Sequence, residues 1–362
     1  MSKTDLRGLS REQVRSLVRN LGEPAFRGDQ VFEWVFAKRV VDFDRMSNVP
    51  KSFVARLEHV AEIGSLETRS EGKSSEGTTK YLFALRDGQA VESVLIPHRY
   101  GMSVCVSSQA GCRMACRFCA SAEGGSVRNL TASEITSQVL EIQALLDVHD
   151  ARVSRVDFMG TGEPLDNYEN VLQAMKVLSD PGGLGIGARK MTVSTCGIVP
   201  GIRRLAGEGL QITLSVSLHA PDNALRDMIM PVNKKYPLEE LLPACDEYAK
   251  RTGRRVTYEY VLLDGFNDTA EHARKLSRLL RGRLAHVNLI PLNPVPGRTF
   301  ARSSQQAVTA FSHELEKAGM AQTVRREMGA SVDAACGQLR RRHVDAGRRQ
   351  VGKRPDQGTK PG

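Results

Sequence analysis

Cys112, Cys116 and Cys119 stand in the spacing C-x3-C-x2-C within Gly111-Cys112-Arg113-Met114-Ala115-Cys116-Arg117-Phe118-Cys119. Thiolates are the natural ligands of iron–sulfur clusters. Three of them packed together directly after a predicted strand can grip three irons of a cubane and leave the fourth open. An open coordination position separates a catalytic metal centre from a closed structural one. The amino and carboxylate groups of a substrate can chelate that open iron. Zinc is a competing reading, but zinc sites usually pair C-x2-C with a distant second pair, and none exists here. Unligated core cysteines are the third.

The other chemistry-bearing residues are individually ambiguous. Cys105, Cys196, Cys245 and Cys336 each read alone as buried apolar thiols. Glu92 lies among Val91, Val94, Leu95 and Ile96, an apolar run where an unpaired carboxylate is costly. A buried carboxyl there suits proton transfer near neutrality, and a core Glu paired to an Arg is the plainer alternative. Gly160-Thr161-Gly162-Glu163-Pro164 follows a predicted strand, which puts it at the rim where ligands bind in α/β barrels. Its glycines let backbone approach a ligand and Glu163 can accept from an ammonium group. An ordinary tight turn fits equally well. His219 alone reads as a satisfied structural histidine.

The elements that position these residues follow from periodicity. Apolar, β-branched runs occur at 103–107, 153–159, 190–195, 211–218, 255–263, 286–292 and 322–328. Amphipathic stretches lie between them, for example Thr131 as N-cap with Glu134 at N3, then Ile135, Val139, Ile142 and Leu146. Strand and helix alternating in this way mean βαβ units and a parallel sheet. The count suits an open or partial (β/α) barrel, with a flat doubly wound sheet as the alternative. Ahead of it, residues 1–64 read as a small helical domain. Ser10 and Gln13 form a capping box before Val14, Leu17 and Val18; apolar residues recur from 26 to 36; a third helix begins near Pro50. Residues 65–79 read as a polar linker, and 80–85 with 89–96 as a β-hairpin about Asp87-Gly88. The core then runs over 101–337, and 338–362 is a basic, unstructured tail.

Composition narrows the class. Of 362 residues, 41% are apolar, enough for packed interiors and against global disorder. No window approaches a membrane span and Met1–Asp5 lacks a signal-peptide stretch, so the expected setting is the cytoplasm, without membrane contact and with thiols kept reduced. The formal charge of +10 steers the chain toward polyanions such as RNA. From Gln338 onward eight Lys and Arg face only Asp345 and Asp356, six of the ten net charges. A solvated tail explains these equally well.

The cysteine triad, with Phe118 before its last member, resembles the signature of the radical S-adenosylmethionine (SAM) superfamily. More of the chain, from about Arg11 to Gln338, resembles one branch of it: the adenosine-C2 RNA methyltransferases of the RlmN family, with the C8-methylating Cfr group as near relatives. The matching segments include Phe26-Arg27-Gly28-Asp29-Gln30, Glu92-Ser93-Val94-Leu95-Ile96-Pro97, Cys105-Val106-Ser107-Ser108-Gln109, Arg128-Asn129-Leu130-Thr131, Phe158 to Pro164, Ser194-Thr195-Cys196-Gly197, Ser217-Leu218-His219 and Ala334-Ala335-Cys336-Gly337-Gln338.

That resemblance implies a [4Fe–4S] cluster on Cys112, Cys116 and Cys119, and SAM held by Gly162, Glu163, Ser194, Ser217, Leu218, His219 and Asn293. It also implies two SAM molecules per turnover. Cys336 takes a methyl group from the first, and the deoxyadenosyl radical from the second abstracts hydrogen from that methyl. The resulting methylene radical adds to the adenine ring. Glu92 then accepts the ring proton, and Cys105 attacks Cys336 to release the product with a transient disulfide. The implied partners are 23S rRNA and tRNA, gripped in part by Arg15, Arg19 and Arg27, and a flavodoxin- or ferredoxin-like electron donor to a monomeric enzyme. The same machinery aimed at C8 is the near alternative, with Pro164 and Cys196 favouring C2. A non-catalytic iron–sulfur sensor that binds nucleic acid needs neither the Gly-Glu rim motif nor a distant reactive cysteine pair.

Overall fold

The computed structural model describes residues 3–122, 124–293 and 299–325; Cys336 and the basic tail lie outside them. The N-terminal region begins with the short strand β1 (Thr4–Asp5), which pairs in parallel with β2 (Ala61–Glu62). Between them lie helices α1 (Arg11–Asn20), α2 (Ala25–Phe32) and α3 (Lys51–Val60), with a π-helical turn at Glu33–Ala37 after α2. The capping box on Ser10 and Gln13 forms as expected, each side chain meeting the other's backbone N–H. Val14, Val18, Val31, Phe32, Phe36, Phe53 and Leu57 are buried in the main hydrophobic core. Polar clamps join this region to the rest: Arg7 on Ser137 and Glu141, and Arg11 on Asp180 at 2.6 Å.

Strands β3 (Glu67–Lys73), β4 (Thr79–Ala84) and β5 (Ala90–His98) form an antiparallel meander. The hairpin expected around Asp87-Gly88 is its second half. The expected linker at 65–79 is corrected by β3, whose charged and polar side chains are mostly exposed. An edge strand with one neighbour and little buried surface has no apolar pattern to reveal it.

The meander continues without a break into the parallel part of the sheet. β5 pairs antiparallel with β6 (Gly101–Cys105), and β6 pairs in parallel with β9 (Val153–Phe158). β7 (Gln109–Gly111) and β8 (Ser126–Asn129) make a separate small hairpin above it. Then β10 (Met191–Thr195), β11 (Thr213–Ser217), β12 (Val256–Leu262), β13 (Ala285–Pro291) and β14 (Gln322–Val324) follow in sequential order, all parallel. Helices α4 (Ala132–Asp147), α5 (Tyr168–Ser179), α6 (Val199–Gly207), α7 (Asn223–Ile229) with α8 (Leu238–Thr252), α9 (Ala270–Leu279) and α10 (Gln305–Lys317) make the crossovers. A doubly wound sheet reverses its strand order at a switch point. Among the described residues this one never reverses and its two end strands do not pair, so it is the open, partial (β/α) barrel.

Alternation along the strands sorts the residues between two faces. Val104, Val156, Phe158, Val193, Leu214, Val216, Tyr258, Val287 and Leu289 are buried in the core with the helices. The opposite face lines the lumen of the barrel.

Candidate active site

Strand register decides which residues meet in the lumen. Val94 sits opposite Cys105, Cys105 opposite Asp157, Asp157 opposite Thr192, and Ser194 opposite Ser215. Ser217 sits opposite Glu259, and Glu259 opposite Asn288. Since paired residues share a face, Glu92 (two residues before Val94), Cys105, Ser194 and Ser217 all project on the lumen side. Glu92 is buried, and its backbone oxygen accepts from Ser107 Oγ at 2.7 Å. Ser194, Ser217 and Asn293 stand at or just beyond the C-terminal ends of their strands, at the rim.

The cysteine loop is carried by the small hairpin. Gln109 is its anchor: its Nε2 donates to Asn129 at 2.7 Å and to Asp166 at 2.8 Å, while its Oε1 accepts from the Glu163 N–H at 2.9 Å. Ser108 and Gln109 both donate backbone N–H groups to Thr161 O. The rim motif and the hairpin are thereby one unit. Gly162 belongs to that unit. Its φ is +110°, and a Cβ would stand 2.7 Å from the backbone nitrogen of Gln109. The absence of a side chain on Gly162 lets the two loops touch.

Glu163 is buried, with Oε1 accepting from the Leu165 N–H at 3.0 Å and Oε2 from the Cys196 N–H at 2.7 Å. Burial raises its pKa, against the pull of those donors. The Cys196 and Thr195 side chains add hydrogen bonds to the same carboxylate.

Cys112, Cys116 and Cys119 are partly buried and none is in a disulfide. Met114, Cys116 and Phe118 pack on a small apolar cluster of Cys196, Ile229, Met230, Val261, Leu263 and Leu292 that closes the top of the barrel. Burial pushes the Cys112 thiol up to about 12, and Cys116 is raised further, by burial and then by its two neighbouring cysteines. Thiols held this way become thiolates when a cation compensates them. Among the described residues no three His, Cys, Asp or Glu side chains converge tightly enough for a single ion. Three soft thiol donors on one loop fit a cubane, whose irons are spread over a larger volume, and leave one iron for a substrate.

Below this loop lies a buried polar bracket. His219 is buried at φ +58°, with its ring edge-on to Phe118 at 4.8 Å between centroids. Its Nδ1 accepts from the Val261 N–H at 3.0 Å, and burial with nearby Arg226 lowers its pKa to about 3. The ring is neutral, so its proton sits on Nε2. Arg226 on α7 is fully buried, and burial lowers its pKa to about 10. It donates from Nε to Leu218 O, from Nη1 to Asn233 Oδ1, and from Nη2 to Cys196 O and Ser217 O, at 2.7–3.1 Å.

Sequence reasoning missed Arg226. It also missed a lumen-facing acidic pair, Asp157 and Glu259, within electrostatic reach of each other. Ser215 Oγ donates to Glu259 Oε1 at 2.6 Å, and Asn288 Nδ2 donates to Glu259 Oε2 at 2.7 Å. Polar residues recurring every second position, Thr192 and Ser194, Ser215 and Ser217, Thr257 and Glu259, were the available signal. The arginines expected to grip RNA are engaged within the protein: Arg15 with Asp29 and Glu12, Arg19 with Glu12, Arg27 with Gln30.

The fold and the three-cysteine loop define a radical SAM protein, and a family model described as the radical SAM superfamily matches residues 106–276. A second model, the ribosomal RNA large subunit methyltransferase N-terminal domain, matches residues 4–63. A probable dual-specificity RNA methyltransferase RlmN of Symbiobacterium thermophilum is 52% identical, over 98% of this chain and 95% of its own length. Its counterpart in Desulforudis audaxviator is 54% identical over 86% and 97%. The crystal structure of a radical SAM methyltransferase from Sphaerobacter thermophilus superposes with a TM-score of 0.89 at 42% identity, covering 92% of this chain and 98% of that one. The chain belongs to the RlmN family of radical SAM methyltransferases.

Proposed function

We propose that this enzyme methylates C2 of an adenosine in 23S rRNA, and in tRNA as well, through a methyl-cysteine intermediate. The observation that carries the reading is the register that puts Glu92 and Cys105 on the lumen face with Ser194 and Ser217. Bound at Cys112, Cys116 and Cys119, a [4Fe–4S] cluster would supply the single electron that cleaves SAM reductively. The chain's own residues account for the remaining demands. Adenine C2 is an electrophilic amidine carbon with no lone pair, so a methyl group must be held beside it, and Cys336 carries that methyl. Once the methylene radical has added to the ring carbon, Glu92 takes the C2 proton and the unpaired electron left on the ring would return to the cluster; the burial of Glu92 beside apolar neighbours keeps water from competing. The Cys105 thiolate then attacks the Cys336 sulfur and breaks its bond to the methylene carbon; that carbon takes up a proton to become the product methyl group, and a Cys105–Cys336 disulfide remains for reduction before the next cycle. Gly162, Glu163, Ser194, Ser217, Leu218, His219 and Asn293 hold SAM at the rim, two molecules being consumed per turnover. The reading has the enzyme acting as a monomer in the cytoplasm with a flavodoxin- or ferredoxin-like donor.

The target adenosine must be splayed out of its stack to reach the lumen. The test is mass spectrometry of 23S rRNA and tRNA after incubation with reconstituted enzyme, SAM and a reductant. Methyl on C2 is the expected product. Methyl on C8 would move the enzyme to the Cfr type, and unmodified RNA from cluster-loaded protein would overturn the reading.

A further inference from the structure

Arg226 presents an electrostatic imbalance. It is fully buried, yet every acceptor it meets is neutral: three backbone carbonyls and the Asn233 amide. Among the described residues no carboxylate stands within ion-pair distance of it. Asp227 reaches it only through Asn233, whose Nδ2 donates to Asp227 Oδ1 at 2.8 Å. Glu163 reaches it only through the Cys196 peptide, which donates to Glu163 and accepts from Arg226. The remaining groups in its field are the thiols of Cys116, Cys196 and Cys245. A guanidinium never gives up its charge at neutral pH. Burying one without a compensating anion is strongly unfavourable.

Its position names the missing anion. α7 lies under the cysteine loop: the Arg117 N–H donates to Ile229 O at 2.9 Å, and Cys116 and Phe118 pack on the apolar cluster that holds Ile229 and Met230. The fold also makes room for the cation. Gly197 has φ +110°, and a Cβ there would stand 3.3 Å from Arg226 Nη2 and 3.2 Å from Leu241.

We propose that Arg226 is a positioning residue with a second, electrostatic role: its counter-ion is the anionic thiolate-held cluster, and its charge favours the reduced state of that cluster. Net charge is one of the determinants of iron–sulfur potentials. A fixed cation beside the centre makes addition of the electron easier. The same fork ties down Cys196, Ser217 and Leu218, so the SAM shelf is set by the residue that biases the electron transfer.

The inference rests on the cluster reading above, and the experiment separates the two. Full-length protein is reconstituted without oxygen, assayed for iron, and titrated potentiometrically with electron paramagnetic resonance detection. Wild type that holds no cluster sinks the reading itself. With loaded wild type, Arg226→Gln should keep its iron while its reduction equilibrium falls at least tenfold, which is 59 mV more negative for a one-electron couple. Arg226→Lys keeps the charge and loses the fork. It should hold the wild-type potential while SAM affinity, measured by equilibrium dialysis, drops about tenfold. A loaded Arg226→Gln protein with the wild-type potential overturns the proposal. Should Arg226→Gln fail to load iron, Arg226→Lys decides: iron and potential like wild type support the role, and an empty or potential-shifted Lys protein refutes it.

Discussion

The two faces of the parallel sheet differ in what they ask of their residues. The helix-side face is apolar and close-packed, with Val193, Leu214, Phe158 and Leu289 inaccessible to solvent. The lumen face carries Glu92, Cys105, Asp157, Thr192, Ser194, Ser215, Ser217, Glu259 and Asn288 on the same strands. One face supplies the free energy of folding and the other spends some of that rigidity on holding polar groups in fixed places. A β-strand allows this because neighbouring residues point opposite ways, so stability and chemistry can be varied independently at alternate positions.

The sharpest way to break that comparison is at the loop over the lumen. Cys119→Ala should leave the fold intact and strip most of the iron from a protein expected to carry about four per chain. Full iron content and full reductive cleavage of SAM in that variant would remove the ligand assignment. Next comes Cys105→Ala on the lumen face. It retains Glu92 and Cys336 but lacks the resolving thiol, so a protein–RNA crosslink mapping to Cys336 should build up on denaturing gels. Cys336→Ala should form none. Well-folded, cluster-loaded Cys105→Ala without covalent RNA would refute the methyl-cysteine route.

A matched pair of substitutions then sharpens the contrast directly. Phe158→Ala removes a wholly buried ring on the helix side and should cost about 3–5 kcal/mol in denaturant unfolding. Ser194→Ala on the other face should change stability by less than about 0.5 kcal/mol while weakening SAM binding. Comparable stability losses in both variants would erase the division between faces. The smallest expected effect lies outside the sheet. Truncation after Leu339 removes eight cations and should flatten the salt dependence of RNA binding. An unchanged slope would make the tail a solvated extension.

The helix-side face was legible in the sequence and the lumen face was only partly so, for a physical reason. Burial against helices demands continuous apolar character, and the runs at 153–159, 190–195 and 255–263 all became strands there. Capping boxes at Ser10 and Thr131 were equally readable, because both partners lie three residues apart. The cysteine triad was local too. Arg226 was not, since its acceptors come from two other strand ends and from Asn233, a convergence that sequence spacing does not record. The packing duty of Gly162 was hidden for a related cause: its neighbour across the loop is Gln109, more than fifty residues earlier. The strand at Glu67–Lys73 escaped because exposure leaves no hydrophobic trace.

That strand also governs how the molecule behaves among its own copies. Glu67, Arg69, Glu71 and Lys73 alternate in sign along the outermost backbone of a ten-stranded sheet. A second copy of this strand laid alongside in parallel register would set like charges against one another, and in any arrangement an incoming strand would have to strip water from four ionic groups. Charge at this border thus works against edge-to-edge pairing between copies of the chain.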